Sequence, residues 1–211
     1  MPANRKTENH FKKIGCKIIA GIDEVGVGPL AGPVLAAAVI LNKHIKGIDD
    51  SKKIRPKKRF ELYKQILKNA ISIGIGIVDE KTIDKINILK ASLAAMRLAL
   101  EALEVAPDFI LVDGRNKIKT NIPQKSIIKG DAKCYCIAAA SIVAKVLRDN
   151  IMAKYHLLFP EYGFNANKGY GTKGHFFAIN NNGASPIHRQ SFLPKFNSPV
   201  AQIPLDFNGN T

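Results

Sequence analysis

The sequence predicts an α/β domain, on three observations. Two apolar runs, 18–22 and 34–41, flank a turn rich in Gly and Pro and have the composition of buried strands too short to be ordinary helices. Their connection is too short for a crossover, so they pair as antiparallel neighbours. Beyond them, strand-like runs alternate with segments of helical periodicity.

Taken in order, residues 1–16 read as a flexible basic arm, with Arg5, Lys6, Lys12 and Lys13. The first strand carries adjacent acids, Asp23 and Glu24, into Gly26, Val27 and Gly28. Those glycines resemble a dinucleotide-binding turn, but such a turn opens a helix. Here Pro29 and Pro33 lead into a second β-like run instead. The glycines are better suited to close approach of backbone to a ligand. A polar connection over 43–54 holds Asp50, Lys52 and Lys53, and Pro56 then opens a helix in a position that favours proline. On that helix Phe60, Tyr63, Ile66 and Leu67 share one face, and Lys57, Lys58, Arg59, Lys64 and Lys68 the other. A third strand follows at 71–78, a single long helix at 83–104, and a short buried strand over 109–112 that ends at Asp113. Another strand, 126–128, ends at Lys129-Gly130-Asp131 and leads into an alanine-rich helix over 132–157. Residues 163–185 are rich in Gly and Asn with interspersed aromatics, 187–192 close the region, and 193–211 form a loose tail.

The 211 residues suit one domain. A net charge of +15 favours a polyanionic partner, because basic side chains release counterions condensed on a phosphate backbone. Cys16, Cys134 and Cys136 have neither the spacing of a metal-ligand set nor that of a disulfide framework, and read as reduced thiols. No run reaches membrane-spanning length and no cleavage signature follows the N-terminus, which points to the cytoplasm.

Asp23, Glu24, Asp113 and Asp131 each follow a short apolar run. Carboxylates at adjacent strand ends can converge, and converging carboxylates repel unless divalent cations neutralise them. Each acid alone could equally cap a helix or sit in a loop. The adjacent pair is the harder to explain that way. Asp149 lies about five helical turns beyond Asp131, so one helix cannot bring both to one ion.

The ordered set IDEVGVG, DSKK, VDG, KGDAK, AAASIVAKVLRD, GYGTKGH and HRQSF resembles the motifs of the type 2 ribonucleases H, the ribonuclease HII family, over nearly all of 18–192. The resemblance implies a ribonuclease H-like mixed sheet flanked by helices, with a catalytic domain over 17–192 whose small helical C-terminal region, 163–192, contacts substrate. It implies that Asp23, Glu24, Asp113 and Asp131 hold two Mg²⁺ or Mn²⁺ ions. One ion would orient the attacking hydroxide and the other stabilise the leaving 3′-oxygen. The implied substrates are RNA–DNA hybrids and duplex DNA containing ribonucleotides. Cutting would be on the 5′ side of the ribonucleotide, leaving 3′-hydroxyl and 5′-phosphate ends, in the service of replication and repair. Apart from the resemblance, a monomer is expected.

By the same resemblance, Gly26, Val27 and Gly28 would read the 2′-hydroxyl through backbone groups, and Tyr170 would stack on a neighbouring sugar. Lys52, Lys53, Arg189 and Ser191 would contact phosphate, and His188 would be structural. Val27 stands where the family's motif usually carries arginine, so weaker substrate binding or an altered preference is expected, with the metal chemistry retained. Two other readings remain: a non-catalytic nucleic-acid binder, and a nuclease or recombinase of the same fold that ignores ribose.

Overall fold

In the computed structural model of the protein, which describes residues 3–193, five strands form one sheet. They are β1 Ile19–Val25, β2 Val34–Leu41, β3 Ala70–Val78, β4 Phe109–Asp113 and β5 Gln124–Ile127, in the order β3-β2-β1-β4-β5. The pairs β1–β2 and β2–β3 are antiparallel, whereas β1–β4 and β4–β5 are parallel. Helices occupy both faces: α1 Lys6–Lys13, α2 Pro56–Asn69, α3 Glu80–Ile86, α4 Ile88–Glu101, α5 Gly130–Lys133 and α6 Tyr135–Leu158.

Burial of both faces explains why β2 is apolar throughout rather than alternating. Leu35, Ala37, Val39 and Leu41 pack with Leu62 and Ile66 of α2 and with Ala138, Ile142 and Val143 of α6. Val34, Ala36, Ala38 and Ile40 turn the other way, onto Ile83, Ala91, Ala95 and Ala99 of α3 and α4. A side chain at Gly21 would overlap the Cys136 backbone, so glycine lets the start of α6 sit flush against β1. That contact fixes α6 beside the acids of β1.

Three expectations are corrected. The long helix over 83–104 is two helices, α3 and α4, broken at Asn87, whose φ is 71° and whose side chain accepts from the Lys90 N–H as a cap. Asparagine tolerates this left-handed backbone better than most residues. The helix over 132–157 is likewise divided: α5 is a single turn, Cys134 is extended, and α6 begins at Tyr135. Residues 1–16, expected to be a flexible arm, contain α1, which buries Glu8 and Phe11. Phe11 stacks on Phe109 with centroids 4.0 Å apart, which the charge of this segment did not reveal.

The C-terminal region holds α7 Phe164–Asn167 and α8 Lys173–Asn182, with 3₁₀ turns at Pro160–Tyr162 and Gln190–Phe192. Its core of Tyr162, Phe164, Ile179 and Ile187 packs on Ala31 and Met152, against the turn between β1 and β2. The tail expected over 193–211 lies, after Leu193, outside the described residues. Among the described residues no helix is long and apolar enough to cross a membrane.

Candidate active site

Strand register brings the acids together. Ile22 pairs with Val112, so Asp23 and Asp113, one residue further along two parallel strands, leave the sheet at the same end. Opposite, β2 places the small residues Ala37 and Ala36 beside Asp23 and Glu24. Asp23, Glu24 and Asp113 each offer an oxygen within 4.8 Å of the others. Asp131, in the first turn of α5, lies nearby and pairs with Lys52 Nζ at 3.5 Å. Of the four expected acids, three therefore form a single cluster and the fourth stands at its edge.

The carboxylates of the cluster repel one another, and Lys52 offsets this only in part. Burial, then the carboxylates of Glu24 and Asp113, pushes Asp23 well above the usual range, against a hydrogen bond from Ser141. Glu24 is raised to about 7, by burial first and then by Asp113. Asp113 is raised by burial, although its Oδ1 accepts the Gly130 N–H. Burial alone would lower Lys52, but Asp131, Asp23 and Asp50 outweigh it and hold the ammonium above its ordinary value. Glu24 Oε2 is buried with no hydrogen-bond partner. Three close hard oxygen donors, one of them unpaired, fit a divalent cation such as Mg²⁺ or Mn²⁺.

Beside the acids, the turn from β1 to β2 is held from below. Gly26 has φ 92°, a left-handed backbone suited to glycine. Arg189, fully buried, donates to the carbonyls of Gly26 at 2.6 Å, Val27 at 3.1 Å and Gly32 at 2.7 and 2.9 Å. Arg148, also fully buried, donates to Pro33, Ala31 and Lys168. Carbonyls tied inward leave the outer face of the turn open. Val27 is 40% exposed there. Tyr170, 44% exposed, lies within ordinary contact distance of where a Gly28 side chain would be.

These contacts correct the expected roles of two residues. Arg189 is not available to phosphate, because its donors are taken by backbone carbonyls and its guanidinium is buried. Ser191 donates to Asp84 Oδ1, and its backbone N–H does the same. Lys53 is exposed beside Asp50 at 3.8 Å, and Asp149 pairs with Lys145 and Arg59. His188 is buried in a chain that joins Ser185 to His175 and so to the Tyr170 carbonyl.

Sequence reasoning placed Ser141 on the core side of its helix and Arg148 in a structural or surface pair with Asp149, and missed the place of both beside the site. Ser141 lowers Asp23 against the effect of burial, and it shares a hydrogen bond with Ser51 at 2.8 Å. Arg148 had a legible signal: an arginine one helical turn from both Ala144 and Met152, on an otherwise buried stripe of α6. Lys129, with φ 56°, is a further strained position immediately before the turn that carries Asp131.

Comparisons with known proteins agree with this geometry. A sequence-family model described as Ribonuclease HII matches residues 20–195. Ribonuclease HII of Caldicellulosiruptor saccharolyticus is 51% identical over 188 residues, covering 88% of this chain and 92% of that protein. The crystal structure of the ribonuclease H2 from Pyrococcus horikoshii OT3 matches with TM-score 0.70 and 27% identity, over 83% of this chain and 93% of that one. Bst-RNase HIII, solved in complex with Mn²⁺, shares the fold at TM-score 0.64 and 19% identity, over 82% of this chain and 65% of its own. The mixed sheet and its flanking helices are thus those of a ribonuclease H, an endonucleolytic phosphodiester hydrolase. More narrowly, the chain belongs to the ribonuclease HII family.

Proposed function

We propose that the protein hydrolyses the RNA strand of RNA–DNA hybrids and cuts duplex DNA on the 5′ side of embedded ribonucleotides, leaving 3′-hydroxyl and 5′-phosphate ends. The observation that carries this reading is the convergence of Asp23, Glu24 and Asp113 beside an open glycine turn. Catalytic carboxylates and a bare backbone that can meet a sugar lie together.

Asp23, Glu24 and Asp113 hold divalent metal, Mn²⁺ or Mg²⁺, and Asp131 completes the set once Lys52 moves toward substrate. When bound, the ions supply Lewis-acid activation of water and neutralise charge at the scissile phosphate. Ser141, hydrogen-bonded to Ser51, favours the ionised form of Asp23. Arg148 and Arg189 preset the turn, so its backbone groups at Gly26, Val27 and Gly28 meet the 2′-hydroxyl without reorganisation. Tyr170 packs on the adjoining sugar. Lys52 and Lys53, exposed on one loop, contact phosphate, and the net charge of +15 adds sequence-independent affinity. A monomer suffices for the reaction, because the acids of the site all belong to one chain. Three free cysteines suit a reducing cytoplasm.

The test is end-group analysis of products from a labelled RNA–DNA hybrid, with an RNA duplex and an Asp113→Asn protein alongside. Internal cuts bearing 5′-phosphate, dependent on Mg²⁺ or Mn²⁺ and lost in the variant, are expected. Cyclic phosphate ends would refute the proposal, because they require the 2′-oxygen as nucleophile.

A further inference from the structure

Away from the carboxylate site, the fold gathers a second set of metal-ligating side chains. Glu8, Cys134 and Cys136 are all buried, and each offers a ligand atom within 4.8 Å of the others. Spacing alone assigns the two cysteines no such role, because the third group lies on α1, 128 residues from Cys136 along the chain.

Three observations point to a ligand. Glu8 is only 3% exposed; its Oε1 accepts the Cys136 N–H at 2.8 Å, while its Oε2 is buried with no partner. An unpaired buried carboxylate oxygen is costly and is ordinarily met by a donor or a cation. The sulfurs of Cys134 and Cys136 are 3.7 Å apart. Two thiolates sharing one tetrahedral Zn²⁺, each at about 2.3 Å, stand about 3.8 Å apart. Beside Glu8 and Cys136 lies a cavity of about 130 Å³, lined also by Arg5, Lys12 and Tyr135, with room for water as a fourth ligand.

Charge is consistent with the same occupant. Two thiolates and a carboxylate around a divalent ion leave one net negative charge. Arg5, whose Nε is buried without an acceptor and whose guanidinium lies 5.3 Å over the Tyr135 ring, is placed to balance it.

We propose that Glu8, Cys134 and Cys136 form a site for a thiophilic divalent cation of the Zn²⁺ class, which clips α1 to the break between α5 and α6. Each thiol releases its proton to solvent on binding. The hard-oxygen cluster of Asp23, Glu24 and Asp113 prefers Mg²⁺ or Mn²⁺, so the two sites differ in the metals they select. The clip closes three residues beyond Asp131, and therefore also steadies the segment that carries that acid.

Co²⁺ titrated anaerobically into the metal-free, full-length protein tests this directly. One equivalent with a thiolate-to-cobalt charge-transfer band is expected in the parent, in Cys16→Ser and in Asp23→Asn, and no such band in Cys136→Ser. Zn²⁺ should bleach the band by displacement and raise the parent's Tm. Glu8→Gln keeps both thiols and should weaken Zn²⁺ at least tenfold in competition with a chromophoric chelator. That variant provides the reading should Cys136→Ser fail to fold. Absence of a thiolate band in the parent, its persistence in Cys136→Ser, or unchanged Zn²⁺ affinity in Glu8→Gln would each overturn the proposal.

Discussion

The Arg189 guanidinium donates to the Gly26 carbonyl at 2.6 Å, joining the end of the described chain to the turn that follows the first two acids. Burial, then the neighbouring Arg148, lowers Arg189 to about 10, still charged at neutral pH. A charged fork inside the protein is stable here because backbone carbonyls take its donors. The arginine thereby positions the turn without touching substrate.

Replacing it separates positioning from chemistry. Arg189→Ala leaves the carbonyls of Gly26, Val27 and Gly32 unpaired, at a cost on the order of 3 kcal/mol. Arg189→Lys keeps the charge but loses the fork. Both variants should unfold at lower urea concentration than the parent. In Arg189→Lys, KM for a ribonucleotide-containing duplex should rise at least fivefold while the Mg²⁺ requirement stays unchanged.

Stability of the metal-free protein should fall as pH rises. Glu24 is raised from its ordinary 4.5 to about 7 by burial and Asp113, so the folded state holds this proton more tightly than the unfolded chain. Its contribution is complete below about pH 4.5 and is lost as pH climbs through 7, on the order of 3 kcal/mol across the window. Urea midpoints measured with EDTA at pH 5 and pH 8 should show the decline. Saturating Mn²⁺ should reverse it at pH 8, and Glu24→Gln should make it shallower, leaving the part that Asp23 and Asp113 contribute.

Much of this arrangement was readable in the sequence, for definite reasons. The two apolar runs around the glycine turn are unambiguous strands, because β2 is buried on both faces. Asp113 ends β4, and Asp23 and Glu24 lie in the last three residues of β1, positions that the motif and the apolar runs both mark. What the sequence hid depends on contacts between distant segments. Nothing local distinguishes Arg189, which is buried under the turn, from a surface arginine that meets phosphate. Asp84, which captures Ser191, lies more than a hundred residues away. The N-terminal segment read as a solvated arm because its charges dominate its composition. Its docking rests on a few inward residues, Ala3, Glu8 and Phe11, and on the backbone pairing of Asn4 with Cys134.

Val27 is exposed on the open side of the turn, with its carbonyl held by Arg189. Val27→Arg adds a donor fork there without disturbing the backbone beneath. The variant should bind duplex several-fold more tightly, with a salt slope steeper by about one phosphate contact. Fluorescence anisotropy over a range of KCl concentrations measures both, using metal-free protein to prevent cleavage.

Lys52 holds Asp131 at 3.5 Å and is kept charged by Asp131, Asp23 and Asp50, so it competes with a cation for the same carboxylates. Lys52→Gln should therefore lower the Mn²⁺ concentration needed for half-maximal activity, while raising KM for substrate through the lost phosphate contact. Activity measured over a grid of metal and substrate concentrations separates the two effects.

The central claim is that the acids cut only where the turn meets a ribose. A labelled DNA duplex with one internal ribonucleotide, incubated with Mg²⁺ or Mn²⁺ beside an all-DNA duplex, tests it most directly. A single cut 5′ to the ribonucleotide, absent from the all-DNA duplex and abolished in Asp23→Asn, is the predicted result. Equal cleavage of both duplexes, or binding without cleavage in either metal, would contradict it.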